Sequence, residues 1–271
     1  MHPDLITLGP LKIHSFGFLL ALSFLLGLFL VQKRGVKAGY EKEIFLDLFQ
    51  VILISSVLGA RGFFVLSHLD SFADRPLSVF YLWEGGMTLY GGILLAIAAS
   101  AWFLKKKGQD FLSLADILAP GLALGIFITR VGCFLNGCCY GLPTDCSIGV
   151  HFPEHSAASH SAREFLSGPS GSLEGIPLSP AVHPSQLYAS FGGLLIFLAL
   201  LWLPLRVRGL VFASFLLLYG IHRSIVDLFR FYDASGQGAL GFTLSQWISL
   251  GLVLWSILLF YRILKGRSSG K

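Results

Sequence analysis

The sequence predicts an all-α polytopic membrane protein with seven transmembrane helices. Hydrophobic residues make up 54% of the 271-residue chain and charged residues only 13%, about half the charged share of an ordinary soluble domain. The mean hydropathy is +0.73. The apolar residues also fall into seven runs of roughly 20 residues, the length that a helix needs to cross a bilayer.

The seven runs alternate with polar segments along the chain. We predict spans at about residues 16–32, 45–67, 88–104, 112–130, 186–204, 208–229 and 243–263. Residues 1–271 are expected to form a single integral membrane domain with one long polar segment at about 137–185. Residues 143–182 of that segment are rich in Ser, Gly, Pro and His, and we expect an exposed loop here that guides an incoming peptide.

Lysine and arginine are concentrated on one side of the predicted spans. Thirteen of the 20 basic residues follow odd-numbered spans or lie in the tail: Lys33, Arg34, Lys37, Lys42, Lys105, Lys106, Lys107, Arg206, Arg208, Arg262, Lys265, Arg267 and Lys271. Because cytoplasmic loops carry the excess of Lys and Arg, we expect the N-terminus outside and the C-terminus in the cytoplasm. The scattered basic residues argue against a nucleic-acid partner.

Four arginines lie within or at the ends of predicted spans. They are Arg61, Arg130, Arg223 and Arg230, in the outer halves of three helices that run outward. A charge in a span costs about 2.5–3.5 kcal/mol on insertion scales, so such residues usually face a cavity or a partner. Guanidinium groups suit bidentate recognition of phosphate, and at this depth the phosphate would belong to a lipid headgroup.

Two alternatives to this anion site stay open. Each arginine could instead extend back to bulk water. Arg223 and Asp227 are spaced i, i+4 and can pair on one helix face, in which case Asp227 simply neutralises Arg223.

Ordered sequence blocks resemble the bacterial phosphatidylglycerol–prolipoprotein diacylglyceryl transferase family. The segment TRVGCFLNGCCYG (129–141) matches the skeleton of the family signature G-R-x-G-N-F-x-N-G-E-x-x-G. HPSQLY (183–188) matches a family block without change. Further similar blocks are LGPLKIHSFG (8–17), GARGFF (59–64), WEGGMTLYGG (83–92), HRSIVDLFR (222–230) and QWISL (246–250).

The chain also departs from the family pattern at six positions. Thr129, Cys133 and Cys138 replace the opening Gly, the first Asn and the Glu of the signature. The other departures are Phe16 where the family usually has Tyr, Tyr90 where it has His, and Ala189 where an acid often follows. One hypothesis is that Cys138 acts near the headgroup, because it replaces the family's acid.

The resemblance implies a transferase of the bacterial cytoplasmic (inner) membrane. A diacylglyceryl group would pass from phosphatidylglycerol to the lipobox cysteine thiol near the signal peptide of a prolipoprotein, within membrane lipid. Sulfur attacks a glyceryl carbon and glycerol phosphate leaves, so catalysis needs positive charge at the phosphate and a route for the thiol proton. This scheme requires no metal and no cofactor.

Candidate site residues follow from that chemistry. We expect Arg130 and Arg223 to stabilise the phosphate charge, and His14 or Tyr90 to carry the thiol proton. Substrate-binding candidates are Arg61, Asn136, Gly137, Gly141, Gln186, Tyr188, Asp227 and Arg230. The alternative for Ser185 and Gln186 is that they only cap the fifth span.

All four cysteines, Cys133, Cys138, Cys139 and Cys146, lie within 14 residues on the predicted outer side. A disulfide from Cys138 or Cys139 to Cys146 would suit an oxidising exterior. Cys133 can also be inert packing, and a metal site with His151, His155 or His160 stays open although the spacing is not a standard zinc pattern.

The sequence therefore leaves two further functions open besides the lipoprotein transferase. The departures from the family pattern allow a transferase on the same scaffold with another acceptor or donor. The cysteines allow a non-catalytic lipid-binding or thiol-redox membrane protein.

Overall fold

The computed structural model describes residues 3–8, 11–72, 75–168, 171–232 and 241–268. Its helices confirm the predicted fold class, because seven of them are long and apolar enough to cross a membrane. These are α1 (Ser15–Lys37), α2 (Lys42–Ser67), α4 (Leu89–Lys106), α5 (Phe111–Asn136), α7 (Ser185–Trp202), α8 (Leu210–Asp227) and α9 (Leu244–Ser268).

Helix α5 is longer than the sequence predicted. It continues six residues beyond the predicted end near residue 130, through Asn136. Gly132 does not interrupt the helix, which ends only where Gly137 takes a positive φ of 74°. Gly137 and Cys138 then donate their backbone N–H groups to Phe134 and Cys133, which is the hydrogen-bond pattern of a glycine-terminated helix end.

Short elements that periodicity did not predict lie between the spans. An antiparallel hairpin precedes α1, and a second pair of strands lies in the long polar segment. The short elements are β1 (Asp4–Leu8), β2 (Leu11–His14), α3 (Leu69–Phe72), β3 (Val150–His151), α6 (Ala157–Ser167) and β4 (Ala181–Val182). Two 3-10 turns, Pro76–Phe80 and Leu82–Glu84, precede α4.

The 137–185 segment is folded around a small core of its own. Phe152, Ala158, Ala162 and Val182 are buried together, and Phe134, Tyr140 and Val150 pack against them. Helix α6 supplies the two alanines, and its N-cap Ser156 accepts a hydrogen bond from the Ser159 backbone. The expectation of a simple exposed loop was therefore incomplete, since much of this segment forms regular structure.

Backbone contacts divide the chain into two compact units. One consists of Val31–Leu114, and the other of Met1–Leu30 with Ala115–Lys271. In the first unit α2 and α4 approach closely through glycines: a Cβ at Gly59 would lie 2.4 Å from the Gly91 carbonyl oxygen. Small residues at a crossing let two membrane helices pack at short range, which explains Gly59 of the GARGFF block and both glycines of the YGG block.

In the second unit a buried carboxylate joins α5 to the start of α8. Asp116 is 1% exposed and accepts hydrogen bonds from the backbone N–H groups of Gly209, at 2.5 Å, and Phe212, at 2.7 Å. The first N–H groups of a helix have no partner within the helix, and a negative charge there is favourable. Asp116 therefore fixes the position at which α8 begins.

Candidate functional site

The end of α5 carries the centre of the candidate site. Arg130 lies on the last two turns of the helix, and the reversal at Gly137 folds Cys138 and Cys139 back toward it. A Cβ at Gly132 would lie 3.4 Å from the side chains of Phe16 and Leu19. Helix α1 therefore passes close to α5 beside Cys133.

The first turn of α7 holds the two cysteines that follow the reversal. Ser185 Oγ donates to the Cys139 carbonyl and Gln186 Nε2 donates to the Cys138 carbonyl, both at 2.8 Å. Both donors are almost completely buried. Gln186 Oε1 is also buried and has no hydrogen-bond partner among the described residues. The pair thus binds the cysteine backbone rather than capping its own helix, and one Gln186 acceptor is left for a ligand.

Three backbone segments meet at Gly141. Its N–H donates to the His183 carbonyl at 3.0 Å, and it forms an isolated bridge with Arg230. A Cβ at this position would lie 2.4 Å from the Phe229 carbonyl oxygen and 2.5 Å from that of His183. Gly141 is therefore needed for close backbone approach, and it locks the signature turn to the segments before α7 and after α8.

Replacing Gly141 with alanine is expected to destabilise the protein toward the upper end of about 1–3 kcal/mol, because backbone oxygens cannot move aside as side chains can. The measurement is the thermal unfolding midpoint in detergent. Gly125→Ala is the matched control, since nothing lies within 4 Å of a Cβ there. Equal midpoints for the two variants would contradict the packing role of Gly141.

Asp227 is the centre of a buried hydrogen-bond network. Its side chain is 0% exposed and pairs with Arg223 at 2.9 Å. Tyr232 donates its hydroxyl to Asp227 and accepts from Arg223 Nη2 at 2.8 Å, and Thr243 donates to the other carboxylate oxygen. Burial, followed by the hydrogen bond to Asp227, raises the pKa of Tyr232, so this phenol stays protonated as a donor. The predicted ion pair between Arg223 and Asp227 is confirmed.

Sequence reasoning missed the contributions of Tyr232 and Thr243. Tyr232 follows α8 in a segment with no periodicity, and no local signal marked it. Thr243 and Gln246 exchange hydrogen bonds at the start of α9, where each side chain accepts from the other residue's backbone N–H. This is a capping box, and the T-x-x-Q spacing could have identified Thr243 as a helix start.

Arg130 and Arg230 form fewer polar contacts than Arg223. Within the described ranges neither guanidinium forms a hydrogen bond or an ion pair, although Arg230 stacks over the Tyr232 ring at 5.3 Å. Both arginines lie close enough to the Cys139 thiol for their charges to act on it. The His222 ring, next to Arg223, packs against Gly192 of α7, and its Nε2 lies 3.3 Å from the Ala189 carbonyl oxygen. The structure thus gathers these arginines in one region of the second unit.

The remaining predicted side chains of the second unit are those of Asn136, Tyr188 and His14. Asn136 is exposed at the last position of α5. Tyr188 is half-buried, and its hydroxyl lies 3.1 Å from His183 Nδ1. His14 ends β2 with 64% of its side chain exposed, and its Nδ1 lies 2.8 Å from an Asp4 carboxylate oxygen.

Arg61 and Tyr90 belong to the first unit. The Arg61 guanidinium donates four hydrogen bonds to the carbonyls of Ser78, Val79, Gly85 and Gly86. Arg61 therefore holds the segment between α2 and α4 in place, with four of its five N–H donors already used. Tyr90 is the second residue of α4 and is half-buried.

The cysteines are arranged differently from the predicted disulfide. All four are free, and Cys146 is exposed. The Sγ atoms of Cys133, Cys138 and Cys139 lie within 4.8 Å of one another. Hydrogen bonds from the Cys133 and Cys138 thiols, together with the charges of Arg230 and Arg130, lower the pKa of the Cys139 thiol. The bridge from Cys138 or Cys139 to Cys146 is not formed.

A comparison with known families covers nearly the whole chain. The sequence model described as "prolipoprotein diacylglyceryl transferase" matches residues 3–262. Residues 3–262 contain every element described above except the last residues of α9.

Curated relatives give the same result at the level of single proteins. A protein of Idiomarina loihiensis is 35% identical over 97% of this chain and 92% of its own length. One from Clostridium tetani is 32% identical over 96% and 97%, and one from Bordetella avium 35% over 99% and 96%. Each of these relatives is named phosphatidylglycerol–prolipoprotein diacylglyceryl transferase.

Proposed function

The chain belongs to the prolipoprotein diacylglyceryl transferase family, and on that premise we propose that it transfers a diacylglyceryl group from phosphatidylglycerol to the lipobox cysteine thiol of prolipoproteins. The main support for the proposal is a pair of guanidinium groups without an ion-pair partner in the described chain: Arg130 near the end of α5, and Arg230 at the backbone bridge to Gly141. The names of the relatives supply the substrates, and the buried, positively charged site supplies a place for the headgroup.

The reaction forms one bond and breaks one. The lipobox sulfur attacks a glyceryl carbon, a C–S bond forms, and the C–O bond to phosphate breaks. The electron pair of that bond leaves with glycerol phosphate, so negative charge grows on a phosphate oxygen in the transition state. Fixed cationic donors aimed at such an oxygen lower the barrier more in a dry site than in water.

Arg130 and Arg230 take this anion-binding role. Arg130 projects from a rigid helix, and Arg230 is held by the backbone bridge to Gly141 and by the Tyr232 ring. A phosphodiester carries one negative charge and accepts the forked donors of Arg in pairs. Gln186 Oε1, buried without a partner in the described chain, is placed to accept a hydrogen bond from a headgroup hydroxyl.

Arg223 acts as a positioning residue in this arrangement. Its charge is balanced by Asp227, and two of its nitrogens are engaged by Asp227 and Tyr232. The network therefore orders the end of α8 and the following segment, from which Arg230 extends.

The thiol proton needs an acceptor near the outer end of the site. His14 is the better candidate within the second unit, because the Asp4 carboxylate orients its ring. Tyr90 remains the candidate from the first unit.

The protein is a multi-pass membrane protein by its seven apolar helices. We further propose the bacterial inner membrane, with the N-terminus and the site facing outward. The concentration of Lys and Arg after odd-numbered spans supports this orientation.

The test is expression of the chain in bacterial cells depleted of their own transferase. We expect lipidated prolipoprotein to return, as detected by a mobility shift and by incorporation of labelled glycerol. If the protein is inserted and stable but lipidated prolipoprotein does not return, the proposal is refuted. Consumption of phosphatidylglycerol without lipidated prolipoprotein would instead indicate another acceptor.

A further inference from the structure

Three thiols converge at the end of α5 in a way that the diacylglyceryl transfer scheme does not use. Cys133, Cys138 and Cys139 place their Sγ atoms within 4.8 Å of one another. Cys133 is buried, and the other two are half-buried. Tetrahedral zinc with Zn–S bonds of about 2.3 Å requires S···S separations of about 3.8 Å. Small side-chain rotations would therefore bring the three sulfurs to ligand distance of one ion.

The backbone that carries these thiols is held in an unusual conformation. Cys139 has a φ of +62°, and it is the non-glycine residue with positive φ in the described chain. A side chain in this region costs free energy that the surroundings must supply. Here the buried donors Ser185 and Gln186 bind the carbonyls of Cys139 and Cys138. Two side chains of α7 thus fix the orientation of two of the three thiols.

We propose that Cys133, Cys138 and Cys139 form a three-thiolate site for a zinc ion whose fourth coordination position receives the lipobox thiol. The first part stands on the thiol geometry alone, and the second part rests on the proposed function. Soft thiolate ligands select zinc over magnesium or calcium, and catalytic zinc sites characteristically have three protein ligands and one open position.

The proposed step is balanced without any change of oxidation state. Zinc binding displaces the protons of the three cysteine thiols. The lipobox thiol then coordinates as a thiolate and gives its own proton to water, because a thiol bound to zinc is deprotonated outright. Its sulfur forms the C–S bond while the C–O bond breaks and glycerol phosphate leaves. The product is a neutral thioether, a weaker ligand than thiolate, and it departs.

The charges near the cluster fit this assignment. Three thiolates and one divalent ion carry one net negative charge. Arg130 lies one helical turn before Cys133, and Arg230 is bridged through its backbone to Gly141, two residues after Cys139. With the lipobox thiolate as the fourth ligand the complex carries two negative charges, which the two guanidinium groups balance.

Metal binding is tested first, independently of lipid transfer. Full-length protein is purified in detergent under reducing conditions, stripped with a chelator and titrated with Co²⁺ as a spectroscopic substitute for zinc. We expect one equivalent of Co²⁺ with intense sulfur-to-cobalt charge-transfer absorption, and displacement by Zn²⁺. Serine replacement of Cys133, Cys138 or Cys139 should weaken binding at least tenfold.

Cys146→Ser is the matched control, because Cys146 is exposed and lies outside the cluster. It should bind metal as the wild-type protein does. Cys139→Gly tests the ligand without straining the backbone, because glycine adopts the positive φ freely. This variant loses only the thiol. Unchanged cobalt spectra in that variant would overturn the proposal, as would copper(I) binding in three-coordinate form with no affinity for zinc.

The role of the fourth position is tested by transfer activity. Chelator treatment should reduce transfer at least tenfold, with recovery on adding Zn²⁺ but not Mg²⁺. Transfer at the wild-type rate by the triple serine variant would overturn the thiol-binding role. Metal binding without any lipidated product, in contrast, would remove the proposed function and leave the zinc site standing.

Discussion

Arg130→Ala is expected to lower the rate of diacylglyceryl transfer by about 10²–10³-fold, the usual cost of losing one donor to a developing oxyanion. The fold should survive, because within the described residues Arg130 forms no hydrogen bond or ion pair that its loss would break. We expect an unchanged thermal unfolding midpoint together with a lost transfer rate, measured with purified protein and a synthetic lipobox peptide.

Two further variants give this prediction its controls. Arg130→Lys keeps the charge but not the forked donors, so it should recover part of the rate. Arg206→Ala removes an exposed arginine from the segment between α7 and α8, and it should transfer at the wild-type rate. If Arg130→Ala kept more than half of the wild-type rate, the anion-binding role of this residue would be wrong.

Arg223→Ala is expected to have the largest effect on stability. It leaves the Asp227 carboxylate, which is 0% exposed, as a buried charge without a cation. Breaking one partner of a buried ion pair typically costs about 3–5 kcal/mol. We expect a strongly lowered unfolding midpoint and little inserted protein, measured by thermal unfolding in detergent and by quantifying the membrane fraction.

A double replacement separates this structural role from a direct catalytic one. Arg223→Met combined with Asp227→Leu removes both charges and keeps similar volumes, and such replacements of buried pairs are often neutral or stabilising. We expect the double variant to recover most of the lost stability and to retain measurable transfer. Full stability with no transfer at all would show that Arg223 itself contacts the substrate.

The sequence was sufficient for those parts of the protein that depend on local composition. The seven spans follow from apolar runs, and their ends agree with the structure to within three residues, except that α1, α5 and α9 extend five or six residues further at their C-terminal ends. Helix α5 ends just before Gly137. The sequence indicated a turn at Gly137, but the predicted helix ended several residues before it. The Arg223–Asp227 pair could be predicted because both residues lie on one helix face.

The rest depended on contacts between residues far apart in the chain. From its residue type alone, Arg61 is expected to bind an anion. Only the fold shows that its donors bind the carbonyls of residues 78–86. The Ser185–Cys139 bond spans 46 residues, and no periodicity reports it. The thiol cluster was hidden for the same reason: a C-x4-C-C spacing becomes a trigonal arrangement only through the reversal at Gly137.

The bond from Thr243 to Asp227 sets an order for biosynthesis. Its two partners are separated by 16 residues, and Thr243 immediately precedes the final helix. Until Thr243 has left the ribosome, the carboxylate of α8 lacks one of its donors. We therefore expect a nascent chain truncated before Thr243 to be less stable in the membrane.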